Sequence, residues 1–429
     1  MTEEVTTTHG ERFPLGERLG EGGQAEVFRL GDSPKAVKLY RSFAQSHLDL
    51  QRARLKALIS TPSPSPDFVW PEVLIEAPRL GYVMPLVSGF IPLHALNKVE
   101  HLKRVDLRTR LQICYRLVEA FSRLHQRAGF AYCDLSDMNI LVRPETGEVK
   151  IIDVDNLSVG DMLPPVVDGT YRLMAPEIQS GDHRPDIASD LHSLAVLVFQ
   201  TLLVHHPLIG DAVHDGDPAA EQDALGRKAV YVHHPTDASN RYTFKYGGVQ
   251  LNTLPAGLRN LFEETFVRGL HHPERRVREN RWKRELISTL DQLVACPRGE
   301  GIQAQTIAEP CRSTTECRWC GRQITHVAWV RFESPGTGSE SFKTVCDGTR
   351  LTGHYCKTAQ ELDLTKEWAR IERYDDFYAL KNMSSEEFSV YTDDGRAPRP
   401  LPPGKSVKLL RGVRVCFGAH GNIAALATS

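Results

Sequence analysis

The stretch AGFAYCDLSDMNILV, Ala128–Val142, sets an aspartate, Asp134, five residues ahead of an asparagine, Asn139, with apolar runs on both sides. Fourteen residues past Asn139 the run IIDVDN brings another acid, Asp153, behind another apolar run. Short apolar runs bounded by turn-forming residues read as strands. The spacing therefore predicts strand, loop and strand, with Asp134 and Asn139 on one loop and Asp153 just past the next hairpin. Mg2+ takes a few hard oxygen ligands from a protein and the rest of its shell from water and phosphate. Asn139 and Asp153 can supply such oxygens, which leaves Asp134 to orient an attacking hydroxyl and accept its proton. Either fragment alone has a plainer reading, because Asp and Asn are common in turns that their side chains cap.

Working upstream, LGEGGQAEVF (Leu19–Phe28) is followed by AVKLY (Ala36–Tyr40). A glycine-rich turn between two strands lets backbone amides approach phosphate closely. A lone G-x-G is a weak signal, but Gly20 and Gly22 precede a strand lysine, Lys38, flanked by Val37 and Leu39. That lysine is placed to meet a phosphate; taken alone, it could equally snorkel to solvent. The glycine hairpin, the lysine and the two acidic loops fit together in order and spacing, which turn-capping does not explain.

The chain has 429 residues, enough for two or three domains with substantial cores. Hydrophobic residues make up 41% and charged residues 25%, ordinary for a globular protein. A net charge of −2 gives no global field that would draw the chain to nucleic acid or anionic lipid. No apolar run approaches the ~20 residues of a membrane span, and no secretory signal is visible. The expectation is a cytoplasmic protein with neither nucleic-acid nor membrane partner, whose nine cysteines are thiols or metal ligands rather than disulfides. Six of the nine fall between Cys296 and Cys356, a cluster that needs its own explanation.

Along the chain, residues 1–12 are rich in Thr and Glu and are expected to be disordered. Gln45–Ile59 has helical spacing of Leu and Ala, TPSPSP (Thr61–Pro66) reads as a stiff loop, and strands follow in EVLIEA and RLGYVMPLV. A long amphipathic helix is expected over Val105–Gln126, and helices dominate from Pro185 to about Leu293, broken by a polar insertion, Gly210–Leu254. Past Cys296 come short β-like runs with turns at Asp347-Gly348, Asp394-Gly395 and Pro403-Gly404.

These motifs together resemble the protein kinase family over Phe13–Leu293. GTYRLMAPE, with Thr170 and Ala175-Pro176-Glu177, resembles the end of an activation segment. ASDLHSLAVLVFQTLL resembles the buried central helix of the large lobe, with Asp190 bracing the catalytic loop. HHPERRV carries Arg276 as the partner of Glu177. The resemblance implies an α+β, bilobal protein-kinase fold over 13–295, with a β-rich small lobe and a helical large lobe. A zinc-binding module at 296–356 and a small β-rich domain at 357–429 would follow. It implies ATP and Mg2+ as cofactors, Asp134 as catalytic base, Lys38 on the α/β-phosphates, Asn139 and Asp153 on Mg2+, and Gly20 and Gly22 over the phosphates. Val27 and Ala36 would cover the adenine, Leu141 would lie beneath it and Met84 would guard the back of the pocket. Pro85 and Val87 would face the adenine edge.

The pattern departs from the family in several places. Ala25 replaces the third glycine, Cys133 the arginine that reads a phosphorylated loop, Ser136 the catalytic-loop lysine and Asp155 the glycine after the metal-binding acid. No Glu lies between Arg41 and Pro71 to pair with Lys38; Asp49 is the one acid of the expected helix, and Glu72 or Glu76 are candidates from outside it. A serine/threonine protein kinase, a small-molecule kinase and a pseudokinase scaffold all remain open, with Thr170 and the APE segment pointing to Ser or Thr on a protein. Narrower segments, YVHHPTDASNRY, LNTLPAGLRNLFEETFVRGL and RWKRELISTLDQLVAC with CRWC, resemble bacterial kinases of tellurite-resistance-type loci. That likeness implies a cognate phosphatase and a von Willebrand A-type protein as partners.

Cys317-Arg-Trp-Cys320-Gly321 has the spacing of a metal knuckle for structural Zn2+. Cys296 and Cys311 are candidates for the remaining ligands; His354 and Cys356 are the rival pair, with Cys346 in reserve. The segment Phe377–Ile423 alternates and turns like a small β-sandwich. It loosely resembles forkhead-associated phosphopeptide binders, without an evident phosphate-reading Arg/Ser pair, and a plain interaction or packing module is the simpler reading.

Overall fold

Strand alternation in the N-terminal region folds into antiparallel strands that close on themselves. β1 (Glu4–Thr7), β2 (Arg12–Glu21), β3 (Ala25–Leu30), β4 (Lys35–Tyr40), β5 (Val73–Ala77) and β6 (Gly81–Pro85) form a barrel in the order β1-β2-β3-β4-β6-β5. The computed structural model describes residues 4–41, 45–98, 102–158, 164–165, 169–213, 218–243, 247–335, 338–357, 366–418 and 421–427. They divide into two units, Met1–Leu286 and Ile287–Ser429.

Period-two alternation puts Val37 and Leu39 of β4 into one core with Val5, Leu15, Leu30, Ile75 and Val83. Ala36 and Tyr40 go to the other face, where they join Tyr82, Met84 and Leu55 of α1 (Gln45–Ile59). The close approach of β6 to β4 depends on Gly81, since a Cβ there would lie 2.2 Å from the Lys38 carbonyl oxygen. Within residues 1–12, the expected disorder is corrected over Glu4–Thr7. Val5 is fully buried, and β1 pairs with both β2 and β5, so the strand closes the barrel and covers two edges that would otherwise lie open.

The rest of the first unit is mainly helical. β7 (Ile91–Pro92) leads into α2 (Leu93–Leu96) and then α3 (Leu107–Arg123), whose N-cap Asp106 accepts from the Thr109 amide at 2.8 Å. β8 (Ile140–Arg143) and β9 (Glu148–Ile151) form a hairpin that β7 completes to three strands. After α4 (Pro176–Gln179), α5 (Ile187–Leu203) starts from a capping box between Asp186 and Ser189 and is buried on almost every side. α6 (Pro218–Leu225), α7 (Ala256–Glu263) and α8 (Glu279–Asp291) follow. Among the described residues no helix is long and apolar enough to cross a membrane.

The second unit begins with two small hairpins, β10 (Leu293–Ala295) with β11 (Gln305–Ile307) and β12 (Thr314–Glu316) with β13 (Gln323–Thr325). The remaining strands are β14 (Ala328–Glu333), β15 (Glu340–Val345), β16 (Thr349–Thr352), β17 (Glu367–Tyr374), β18 (Phe377–Asn382) and β19 (Phe388–Thr392). After them come β20 (Arg399–Leu401), β21 (Ser406–Leu409), β22 (Val413–Cys416) and β23 (Ile423–Ala427). They make a six-stranded sheet, β15-β14-β23-β22-β19-β20, and a four-stranded sheet, β16-β17-β18-β21. One core joins Val330, Phe332, Leu351, Trp368, Leu380, Phe388 and Val415.

Two expected boundaries move. The division at 356/357 would cut this sandwich, because β14 pairs along its length with β23. The division at 295/296 shifts to within α8, between Leu286 and Ile287.

Candidate active site

The loop of Asp134 is held from below. Asp190, in the first turn of α5, accepts from the backbone amides of Tyr132 and Cys133 at 2.5 and 3.0 Å. The bend this imposes puts Cys133 in the left-handed region, at φ 70°. Asp190 in turn meets His125 Nε2 at 3.2 Å, while His125 Nδ1 meets Glu279 at 2.5 Å. Burial works to lower the His125 pKa, but its bonds to Asp190 and Glu279 overcome that and raise it to about 9. The Tyr132 hydroxyl donates to the Ile152 carbonyl, and the Ile152 amide donates to the Asn139 carbonyl at 3.0 Å, so the two acidic loops are tied together.

On that scaffold Asp134 Oδ1 accepts from the Thr170 hydroxyl at 3.1 Å, and Asn139 Nδ2 donates to the Asp134 carbonyl at 3.1 Å. Burial pushes the Asp134 carboxyl above its ordinary value, the Thr170 bond opposes that, and the nearby charge of Asp153 adds to the rise. Asp153 itself sits at φ 65° at the head of the short turn Val154–Asn156. Its carboxyl is also raised, by burial and by the charge of Asp155, against the pull of Lys38. The Asn139 bond through Nδ2 leaves its Oδ1, a hard oxygen, beside a carboxylate-bearing loop. That donor set fits a divalent cation such as Mg2+.

Lys38 lies on β4 opposite Val27 on β3 and Tyr82 on β6. Its ammonium donates to Asp155 Oδ1 at 2.9 Å and also to Asp153. The Tyr40 hydroxyl donates to the other oxygen of Asp155, and Gln51 Nε2 on α1 donates to the Asp155 carbonyl at 2.9 Å. The acids weighed from sequence as partners of Lys38 are engaged elsewhere. Glu72 pairs with Lys35, Glu76 with Arg52 at 3.8 Å, and Asp49 with Arg52 at 2.7 Å. Asp155, noted in sequence only as a replaced glycine, is the residue this reasoning missed. The available signal was the spacing of Lys38 and Tyr40, which share one face of a strand.

Several residues expected to line a nucleotide pocket come together. Val27, Ala36, Met84 and Val87 belong to one apolar cluster. Ala36 pairs with Met84 and Lys35 with Pro85, while Leu141 is half-buried on β8 between Pro92 and Lys150. Gly20 pairs with Val27 near the tip of the β2–β3 hairpin, and the Gly22 amide closes the turn onto the Ala25 carbonyl at 2.9 Å. A Cβ on Gly20 would meet nothing within 4 Å, so the space beside it is open. Farther off, Arg276 holds Glu177 through two bonds of 2.7 Å, the pair expected from sequence.

In the second unit Cys296, Cys317 and Cys320 bring their sulfurs within 4.8 Å of one another. Cys296 lies 3.3 Å from Cys317 and 3.7 Å from Cys320. Tetrahedral Zn–S bonds of about 2.3 Å put sulfurs roughly 3.8 Å apart, so the three fit one zinc ion. Gly321, at φ 68°, closes the knuckle with its amide on the Cys317 carbonyl at 2.9 Å. Cys311 is not brought into this group and lies by Glu340 and Arg331. Nor is the rival set: Cys356 is buried in the sandwich core, His354 packs on Tyr355 and Cys346 meets Thr349 at 3.3 Å.

No family model matches the chain. Similar proteins include a probable serine/threonine-protein kinase of Streptomyces coelicolor, 28% identical over 255 residues, 52% of this chain and 37% of that protein. The serine/threonine-protein kinase PknA of Mycobacterium tuberculosis is 30% identical over 226 residues, 49% of this chain and 51% of its own. The protein kinase YegI of Escherichia coli is 23% identical over 338 residues, 74% of this chain and 50% of its own. The chain thus spans about half or less of these relatives' lengths. They are bacterial protein kinases, and they give about half of this chain a protein kinase fold.

Proposed function

We propose that the first unit is an ATP- and Mg2+-dependent kinase that phosphorylates serine or threonine on a protein. The observation that carries this reading is the Thr170–Asp134 bond of 3.1 Å, on a loop that Asp190 braces. With Oδ1 occupied by Thr170, Asp134 offers Oδ2 to the acceptor hydroxyl and takes its proton as the oxygen attacks. Burial raises its pKa, which makes the carboxylate a stronger base than one in water. Lys38 holds the α- and β-phosphates, and Gly20 and Gly22 cover them with backbone amides. Asn139 and Asp153 would hold Mg2+, whose charge neutralises the phosphates during transfer. Val27, Ala36, Met84 and Leu141 enclose the adenine, with Pro85 and Val87 at its edge. The retained Thr170 and APE segment favour a protein acceptor over a small molecule, and the retained Lys38, Asp134, Asn139 and Asp153 favour an enzyme over a scaffold.

The test is Asp134→Asn. It keeps the shape and the Thr170 contact but removes the base, and is expected to cut phosphotransfer by about 10²–10⁴ with Mg-ATP affinity kept. Mass spectrometry after incubation with Mg-ATP should show phosphoserine or phosphothreonine on the wild type and none on the variant. Equal labelling of both would end the assignment of Asp134, and labelling confined to a small molecule would favour the small-molecule reading.

Cys296, Cys317 and Cys320 are proposed ligands of a structural zinc ion. Cys317→Ser is expected to release about one equivalent of zinc and to unfold the neighbouring hairpins, because such binding is coupled to folding. Cys356→Ser should leave zinc content unchanged; the reverse result would reinstate the rival set. The likeness to kinases of tellurite-resistance-type loci makes a phosphatase and a von Willebrand A-type protein the partners to test first as substrates.

A further inference from the structure

We propose that Asp155 is the acid that positions Lys38 for the nucleotide phosphates, in place of any acid on helix α1; the inference rests on the kinase reading of the site. The two acids of Asp153-Val154-Asp155 differ in setting. Asp153 is 42% exposed at its side chain, and Asp155 only 7%. Asp153 therefore has room for a divalent cation, and a lysine that leaned on it alone would compete with that cation. Asp155 is shut away from the cleft and can serve Lys38 continuously.

Three groups on two elements fix Asp155. Lys38 and Tyr40, two residues apart on β4, project from the same face and bind its two carboxylate oxygens. Gln51 on α1 holds its backbone carbonyl at 2.9 Å and the Tyr40 hydroxyl at 2.8 Å. A carboxylate this buried is costly unless paired. The bonds from Lys38 and Tyr40 supply that pairing. On α1 the residues nearest this network are Gln51 and Arg54, both buried, and neither is acidic. The helix reaches the pair through a neutral amide. Displacing α1 would weaken the support of Asp155 without removing the counter-charge of Lys38.

A double-mutant cycle on the full chain tests this, read both as autophosphorylation turnover and as Mg-ATP affinity by calorimetry. Asp155→Asn is expected to reduce turnover about 50-fold, as Lys38→Ala does. The double variant Lys38→Ala/Asp155→Asn should be no more than about twofold worse than Lys38→Ala, because Asp155 acts through that lysine. Gln51→Glu, added to Asp155→Asn, should recover about tenfold by returning a carboxylate to the helix beside the lysine. Wild-type turnover in Asp155→Asn, losses that multiply in the double variant, or no recovery with Gln51→Glu would each overturn the proposal. If Asp155→Asn does not fold, Lys38→Met/Asp155→Asn removes the orphaned charge. Restored folding supports the pairing, and continued unfolding overturns it. A wild type that binds Mg-ATP but phosphorylates nothing would refute the kinase reading alone, and the cycle is then decided on affinity. A wild type that binds no nucleotide refutes both.

Discussion

Among the described residues, each unit contains a buried grouping of lysine, aspartate and tyrosine in which lysine and tyrosine share one carboxylate. In the first unit Lys38 meets Asp155 at 2.9 Å, Tyr40 donates to the same carboxylate, and the ammonium lies 5.8 Å from the Tyr40 ring centre. In the second Lys343 meets Asp291 at 3.0 Å, Tyr355 donates to the same carboxylate, and the ammonium lies 4.8 Å from the Tyr355 ring centre. Their surroundings differ. Beside Lys38 stands a second acid, Asp153, half-open, on a loop tied to that of Asp134. Around Lys343 the polar partners are all spent on one another, and Asp291, the last residue of α8, is tied by them to β15. A buried ion pair is therefore no mark of a site by itself; in the first unit the same lysine also binds a second, half-exposed acid, Asp153.

The sharpest way to break this contrast is Lys343→Met. It strands the Asp291 carboxylate, which should cost the second unit about 3–5 kcal/mol and lower its melting transition. Mg-ATP affinity of the full chain should stay within about twofold, unlike that of Lys38→Met. A comparable loss of Mg-ATP affinity in both variants would erase the distinction between the two groupings.

A third buried cluster, His125 between Asp190 and Glu279, places a smaller effect in the first unit. The folded pKa of about 9 exceeds the ordinary histidine value of 6.5, so the charged form is the one the fold favours. Its contribution is fully present below pH 6.5 and is lost as pH rises towards 9. The shift corresponds to on the order of 3 kcal/mol. Urea unfolding of the first unit between pH 6 and 9.5 should show this decline, and His125→Gln should flatten it. An unchanged slope in the variant would mean that His125 is neutral in the fold and only bridges the two acids.

Much of the first unit was legible because its signals are local. Alternation gave β3 and β4, apolar spacing gave α1 and α5, and Asp134, Asn139 and Asp153 stand on loops whose lengths are written in the sequence. Val27, Ala36, Met84 and Val87 also meet, because strand pairing converts regular alternation into a shared face. What escaped depends on long-range closure. β1 looks polar and frayed until its pairing with β5 is known, and Val5 is its one fully buried residue. The partner of Lys38 was sought on the helix and among nearby glutamates. It lies 117 residues away in sequence, in a position whose family counterpart is a glycine with no side chain. The cysteine set was legible in part: Cys296, Cys317 and Cys320 come together as read from their spacing, whereas Cys311, near in sequence, is not brought to them.

The smallest expected effect sharpens the comparison most. Replacing the whole second grouping, Lys343→Met with Asp291→Leu and Tyr355→Phe, removes two charges and a hydroxyl together, so no buried polar atom of the group is left without its partner. The three side chains are 9%, 5% and, for Tyr355 as a residue, 6% exposed; Met and Phe match the bulk of Lys and Tyr, and Tyr355 belongs to the apolar core. Exchanges of this kind for buried ion pairs come out close to neutral, or stabilising by about 1–4 kcal/mol, because the cost of desolvating the charges disappears with them. The melting transition of the second unit should therefore lie at or above the wild-type value, well above that of Lys343→Met alone. The parallel exchange in the first unit, Lys38→Met with Asp155→Leu and Tyr40→Phe, should likewise fold, because the one carboxylate it leaves without its lysine, Asp153, is half open to water. It should nevertheless lose Mg-ATP binding, since the lysine proposed to meet the phosphates is gone. If the second-unit triple variant instead lost Mg-ATP affinity, or the first-unit triple variant kept it, the roles assigned to the two groupings would have to be revised.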